Sequence, residues 1–243
     1  MPMKMLRLGK GFSLIEMMVA MVAGLVVIGA VVVFTIATSQ SSTTNIRSVR
    51  VMQNLRTSLS LMEREIRRSG YNESALSYAG LCVSASGVCP IGVFNQLTVV
   101  SPDCLVVSYD NSANATAGAV DAGEFHGFRL KKNASGVGII QASLSGNTTA
   151  PDCTVAVDDT AWLNVSDPTV VDVTDLTFTQ LVTSGGCVQQ SSTLVWLVVQ
   201  DVRIQMTGKW TDPAAKLITT RALDESVRVK NDAVSLTKPG ICT

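Results

Sequence analysis

Residues 11–40 read GFSLIEMMVAMVAGLVVIGAVVVFTIATSQ, and from Met17 to Ala37 this stretch runs for 21 residues without a charge. That is long enough to cross the apolar core of a bilayer as a helix. Val19, Val22, Val26, Val27, Val31, Val32 and Val33 would favour a strand in water. A lone segment in lipid can satisfy its backbone only as a helix, so a helix is expected. Glu16 stands at the edge of the run, with no residue nearby in sequence to neutralise it. A charge inside a bilayer costs about 2.5–3.5 kcal/mol at mid-helix and less near the interface. Glu16 is therefore either solvated at the headgroup level or matched by a partner.

Lys4, Arg7 and Lys10 precede the span, and no Lys or Arg follows it until Arg47. The positive-inside rule puts the first ten residues in the cytoplasm and everything after the span on the exported side. The polar stretch after the span, TSQSSTTN, carries no small-residue A-x-A cleavage pattern, so the apolar segment is expected to be kept. The full chain carries 19 basic and 19 acidic residues. Removal of a leader ending at Gly11 would leave 16 basic against 19 acidic groups, a balance of −3. That argues against bulk nucleic-acid binding, which needs a clustered basic face.

Cys82, Cys89, Cys104, Cys153, Cys187 and Cys242 all lie on the exported side, none in a C-x-x-C pair and all far in sequence from the single histidine, His126. Disulfides are favoured over zinc in an oxidising compartment. Proximity suggests Cys82–Cys89, and the other pairings stay open.

Beyond a Ser/Thr-rich run from Thr38 to Asn45, Ile46, Val49, Met52, Leu55, Leu59, Met62 and Ile66 recur by threes and fours and form an apolar helical stripe. Arg47, Arg50, Arg56, Glu63, Arg64 and Arg67 lie opposite. Ser69-Gly70 suits a helix end. An unbroken helix from Phe12 to Ser69 would be roughly 85–90 Å long at 1.5 Å per residue; the alternative is two helices joined at the Ser/Thr run. Gly24 and Gly29 are soft points within it.

After Tyr71 come strand-like runs at Cys104–Asp110, Glu124–Leu130, Gly138–Leu144, Val170–Val182, Thr193–Trp210 and Glu225–Asn231. Val202, Ile204 and Met206 alternate with Arg203, Gln205 and Thr207, the pattern of a half-buried antiparallel strand. Thr183–Ser192 and Lys209–Lys216 read as loops. The expected fold class is α+β: the second half of the helix lies along an antiparallel sheet and the first half projects.

No G-x-S-x-G, phosphate-cradling Gly loop or H-E-x-x-H occurs. His126, in EFHGF, reads as a satisfied structural imidazole. Asp158-Asp159 and Asp224-Glu225 show no pairing suited to acid/base work. Asp110–Glu124 lacks the glycine and ligand spacing of an EF-hand loop and reads as a polar surface loop. The N-x-S/T triplets at Asn114 and Asn133 matter only in a host that glycosylates them. No enzyme, cofactor or metal site is expected, and a membrane-anchored enzyme is the disfavoured rival.

K-G-F-S-L-I-E followed by an apolar helix resembles the class III signal of type IV pilins and type II secretion pseudopilins. The resemblance implies a type IV pilin fold. A prepilin peptidase would cut between Gly11 and Phe12, leaving Phe12 as an N-methylated terminus. Glu16 would be the acidic fifth mature position, which docks on the N-terminal amine of a neighbouring subunit or its own. Lys4, Arg7 and Lys10 would keep the leader inside.

LVVQDVRIQM and RALDESVRVKND resemble the C-terminal part of PilW-type minor pilins, relatives of the J-type pseudopilins of type II secretion. Val33 stands where many major pilins carry a kinking proline, a departure that weakens a major-pilin reading and leaves the minor one intact. This resemblance implies a leader (1–11), a transmembrane or filament-core half-helix (12–40), an amphipathic half (41–70) and a β-rich globular domain (71–243). It also implies a pilus-priming tip subunit that serves adhesion and twitching motility. The implied partners are the major pilin, other minor pilins, a PilY-type adhesin, the prepilin peptidase and the inner-membrane assembly platform. The implied location is the inner membrane with a periplasmic domain, then the pilus. The alternative is a J-type pseudopilin. Loops at Ala85–Pro90 and Asp110–Gly123 are candidate adhesive surfaces.

Overall fold

Periodicity, a capping residue and a terminating glycine make the first element. The helix α1 spans Leu14–Arg68 without a break, opened by Ser13 and closed by Gly70 at φ +77°. The Ser69 amide donates to the Ile66 carbonyl at 3.1 Å and the Tyr71 amide to the Arg68 carbonyl at 3.1 Å, bonds that take up the last-turn carbonyls. The Ser/Thr run is helical throughout, and its hydroxyls are taken up by the helix itself: Thr43 Oγ1 donates to the Ser39 carbonyl at 2.9 Å and Thr44 Oγ1 to that of Gln40 at 3.1 Å. Two separate helices are thereby excluded.

The computed structural model describes residues 13–71, 94, 97–111, 121–144, 146–190, 195–211, 218–231 and 233–235, with backbone alone at 182–190, 195–198 and 233–235. The chain divides within α1 into two compact units, residues 1–46 and 47–243. In the first, none of the described residues is buried.

The second unit holds the rest of α1 and two antiparallel sheets. One sheet is a five-stranded meander in the order β1 (Leu97–Ser101), β2 (Cys104–Ser108), β3 (Phe125–Lys132), β4 (Gly138–Ser143), β5 (Leu163–Asn164). The other joins β6 (Asp172–Gln190), β7 (Val195–Thr211) and β8 (Ile218–Arg228), with β9 (Ala233–Ser235) also pairing with β7. Together these elements make the α+β architecture of the type IV pilin fold.

The main core joins Val51, Leu55, Leu59, Met62 and Ile66 of α1 to Leu105, Val107, Phe128 and Ile140 of the first sheet and to Leu176, Phe178, Val202, Ile204 and Met206 of the second. Each buried side chain of this size contributes about 1.5–3 kcal/mol, an upper value because the unfolded chain already shields some of it. The alternation along β7 holds, with Val202, Ile204 and Met206 inside. A Cβ at Gly208 would lie 2.6 Å from Val171 Cγ2 and 3.1 Å from Leu55 Cδ2, so α1 and β7 meet there without room for a side chain. A second, smaller core on the other face of the meander holds Cys104, Val106, Phe125, Cys153 and Trp162.

Several expectations are corrected. The apolar stripe of α1 starts later than its periodicity suggests: Ile46 (52% exposed) and Val49 (54%) stay outside, and Val51 (1%) enters the core. At about 100° per residue both fall outside the helical arc that carries Val51, Leu55 and Met62, whereas Ser48, within that arc, accepts a 2.5 Å bond from Arg221 of β8. Much of the expected loop Thr183–Ser192 is strand, because β6 runs to Gln190 by pairing Cys187 with Val198 and Gln190 with Val195. The register shift between Val182 and Cys187 absorbs the Ser-Gly-Gly, as a bulge does. In the expected loop Lys209–Lys216, β7 continues to Thr211, and 212–217 lie outside the described residues. Strands β1, β5, β9 and the first half of β8 were not anticipated.

Candidate functional site

The N-terminal segment is described from Ser13; Gly11, Phe12, Lys4, Arg7 and Lys10 lie outside the described residues. Glu16 is the third residue of α1 and exposed. Its Oε2 accepts a 3.3 Å bond from the Ser13 amide, the reach-back bond of an S-x-x-E capping box, and its charge complements the positive end of the helix dipole. Among the described residues, then, the carboxylate serves as a helix cap and is exposed.

From Leu14 to Ile36 the large apolar side chains are exposed on every face of the helix. By length and composition, α1 is the one helix among the described residues that could cross a membrane. The polar atoms in the run are taken up internally: Thr35 Oγ1 donates to the Val31 carbonyl at 2.8 Å and Thr38 Oγ1 to that of Phe34 at 2.9 Å. A Cβ at Gly24 or Gly29 would meet nothing within 4 Å. This segment can be satisfied only by lipid or by other apolar helices.

At the far end of α1, a polar cluster joins helix to sheet. Glu65 (3% exposed) falls in the same arc of the helix as Met62 and Ile66. Its carboxylate accepts from Arg64 Nε at 2.8 Å and from the Tyr109 hydroxyl, with Arg68 Nη1 4.0 Å away. Arg68 also lies over the Tyr109 ring at 4.3 Å. Tyr109 stacks on His126 with ring centroids 4.5 Å apart. Burial, and then the bond to Glu65, holds the Tyr109 hydroxyl protonated well above its ordinary range.

Burial pushes His126 below its ordinary value, with Glu65 opposing and Arg68 reinforcing the shift. Neither His126 nitrogen makes a well-formed hydrogen bond among the described residues, and the Leu144 backbone acts on the ring only weakly, in favour of its charged form. The imidazole is therefore buried, disfavoured in its charged form, and more loosely hydrogen-bonded than the satisfied ring the sequence suggested. The chain after β8 completes the joint: the Lys230 amide donates to the Arg67 carbonyl at 3.3 Å, and Asn231 Nδ2 to those of Arg68 at 3.3 Å and Ser69 at 3.0 Å.

The first sheet buries a cation on its other face. Arg129 in β3 (1% exposed) donates to Gln141 Oε1 and to the carbonyls of Cys153, Val155 and Ala156, with the Trp162 ring 4.2 Å away. Cys104 and Cys153 form a disulfide. The suggested Cys82–Cys89 pair and Cys242 lie outside the described residues, and Cys187 is described in backbone alone.

Ala85–Pro90 and most of Asp110–Gly123 also lie outside the described residues. Glu124, fully buried, accepts the Asn111 amide at 3.3 Å and the Asp121 amide at 2.6 Å, tying together the two ends of that loop. Among the described residues no cluster of His, Cys, Asp or Glu has the makings of a metal site. The sequence reading passed over Glu65, Tyr109 and Arg129. A carboxylate on an apolar helical arc was the available signal for the first.

Residues 7–32 match a family model described as the prokaryotic N-terminal methylation motif. Residues 44–229 match a second, described as prepilin peptidase-dependent protein B. No curated protein and no solved structure matches the chain.

Proposed function

Since this chain belongs to the prepilin peptidase-dependent protein B family, whose model spans residues 44–229, we propose that it is a minor pilin, of PilW type, that primes assembly of a type IV pilus and forms part of the tip complex. It is a prepilin peptidase-processed, pilin-like protein anchored in the inner membrane by α1. One observation carries the finer reading. The methylation-motif match ends at residue 32, inside the 14–36 stretch of α1 whose large apolar side chains are exposed all round, so the processed end and the surface needing a partner belong to one stretch of helix.

In this reading the peptidase cuts after Gly11, Phe12 becomes the methylated terminus, and Lys4, Arg7 and Lys10 hold the leader in the cytoplasm. The Glu16 cap then trades its Ser13 amide for an N-terminal amine in the assembling filament, where a charge too costly to leave alone in lipid gains a partner. Residues 12–40 are the filament-core half of the helix, 41–70 the amphipathic half and 71–243 the periplasmic and later surface-exposed domain. The major pilin, other minor pilins, the assembly platform and a PilY-type adhesin are the partners, and adhesion and twitching motility the outcomes.

A deletion strain complemented with wild type or Glu16→Ala tests the reading by counting surface pili. Wild type restores them and Glu16→Ala, still cleaved, does not; full piliation with Glu16→Ala sinks the proposal. Normal pili in the deletion strain together with lost protein secretion would assign the chain to a secretion machine as a J-type pseudopilin.

A further inference from the structure

Among the described residues, Arg129 is the largest fully buried side chain, and none of them pairs a carboxylate with it at contact distance. Asp159 and Asp152 act on it only from farther off, against the burial that lowers its proton affinity. A guanidinium keeps its charge, so neutral acceptors must satisfy it. Most of them come from one short segment. Nη1 donates to the Cys153 carbonyl at 3.2 Å and the Val155 carbonyl at 2.8 Å, and Nη2 to the Ala156 carbonyl at 2.7 Å.

Gln141 completes the fork and anchors the same segment, its Nε2 donating to the Val157 carbonyl at 2.6 Å. Trp162 covers the cation and donates from Nε1 to the Asp152 carbonyl at 3.2 Å. Gly127 leaves the space for this, since a Cβ there would sit 2.7 Å from Trp162 Cη2. Cys104 is the residue directly opposite Arg129 in the β2–β3 register. The disulfide to Cys153 is thus fastened beside the cation that needs the Cys153 carbonyl.

We propose that Cys104, Cys153 and Arg129 form an oxidation-gated latch, in which closing the disulfide delivers the 153–156 carbonyls to the guanidinium and Arg129 in return holds the disulfide closed. The bridge raises the local concentration of those carbonyls, which an untethered loop would have to order against its own entropy. Without them the buried cation has lost three acceptors. Closure takes two electrons and two protons from the thiols, and a protein disulfide donor of the exported compartment accepts them. The Cys153 thiolate attacks the donor's disulfide and expels one thiolate. The Cys104 thiolate then attacks the mixed disulfide and expels the second, so the donor leaves as a dithiol. Export thereby locks the 152–164 segment onto the sheet.

The linkage is reciprocal, and that makes it testable. The full chain in detergent is equilibrated with graded ratios of reduced to oxidised dithiothreitol, and bridge occupancy is read by alkylation and mass. Arg129→Lys keeps a cation but loses the fork, and should open the bridge at a dithiol-to-disulfide ratio at least tenfold lower than wild type. Arg203→Lys, on an exposed ion pair, should leave it unchanged. In wild type, reduction should speed amide exchange at 152–164 at least tenfold while 55–66 of α1 stays protected. The proposal is overturned by an Arg129→Lys midpoint within twofold of wild type, by unchanged exchange at 152–164, or by exchange rising equally at 55–66.

Discussion

The Tyr109 hydroxyl donates to the Glu65 carboxylate, a buried bond between residues 44 apart in sequence that fastens the last turns of α1 to the end of β2. Two further bonds run alongside it, from the Gly70 amide to the Ser108 carbonyl at 2.9 Å and from the Asp110 amide to the Tyr71 carbonyl at 2.8 Å. Helix and meander are hydrogen-bonded as well as packed where the helix ends.

Truncating one member of this pair should cost more than replacing its apolar neighbours in kind. Glu65→Ala leaves a buried hydroxyl and the nearby arginines without their acceptor, and is expected to cost about 3–5 kcal/mol. Tyr109→Phe should cost about 1–3 kcal/mol, the loss of a donor to a buried charge. Urea unfolding of the full chain in detergent measures both; losses below about 0.5 kcal/mol for the pair would remove the joint from the account.

Stability should fall on the acid side. His126 has its folded value below the ordinary 6.5 because of burial, so between the two values the unfolded chain binds more protons. The favourable state, with His126 neutral, is fully present above about pH 6.5 and is lost as pH falls through the depressed folded value. Tyr109, Glu65 and Arg68 face the imidazole, and Arg68 adds to the penalty on charging it. Unfolding curves from pH 8 to pH 5 should show the decline, and His126→Phe should flatten it. Tyr109 works the other way: its value is raised above 10.0, so its contribution holds below that and is lost in strong alkali.

The helix end offers a separate test. Gly70 sits at φ +77°, and a Cβ there would lie 3.3 Å from Asn231 Cβ. Gly70→Ala should therefore cost about 1–2 kcal/mol from the left-handed backbone alone. Asn231→Ala should cost about 1 kcal/mol through the two uncapped carbonyls. Faster amide exchange at 66–71 in both variants, with 51–62 unchanged, locates the effect.

Gly208 and Leu55 should couple. Gly208→Ala forces a methyl into 2.6 Å of Val171 and 3.1 Å of Leu55, an overpacking cost of about 1–3 kcal/mol. Leu55→Ala alone should cost about 2–5 kcal/mol through its cavity. The double variant should be less destabilised than the sum, because each change relieves part of the other. Strict additivity would deny that α1 and β7 touch at this point.

The fold was legible in the sequence where the determinants are local. The uncharged run, the 3.6-residue stripe and Ser69-Gly70 define α1, and the alternation through Val202, Ile204 and Met206 orients β7. It was illegible where partners are distant. Glu65 is marked only by its place on the apolar arc and Arg129 by nothing near it, since Tyr109 and the carbonyls of 153–156 reach them only through the fold. LTVVS became β1 by pairing with β2, and Ser-Gly-Gly was absorbed into β6 by a bulge that sequence spacing does not announce. The stripe failed at Ile46 and Val49 because steps of three drift backwards around the helix, so the first apolar residues fall off the arc that Val51, Leu55 and Met62 bury.

The intact mass of the membrane-extracted chain, expressed together with a prepilin peptidase, tests the central claim most directly. A chain that begins at Phe12, carries one N-terminal methyl group and keeps the whole of α1 is the expected product, with Gly11→Asp left at full precursor mass. A mature terminus anywhere beyond the apolar run, or an unprocessed wild-type chain beside an active peptidase, would contradict it.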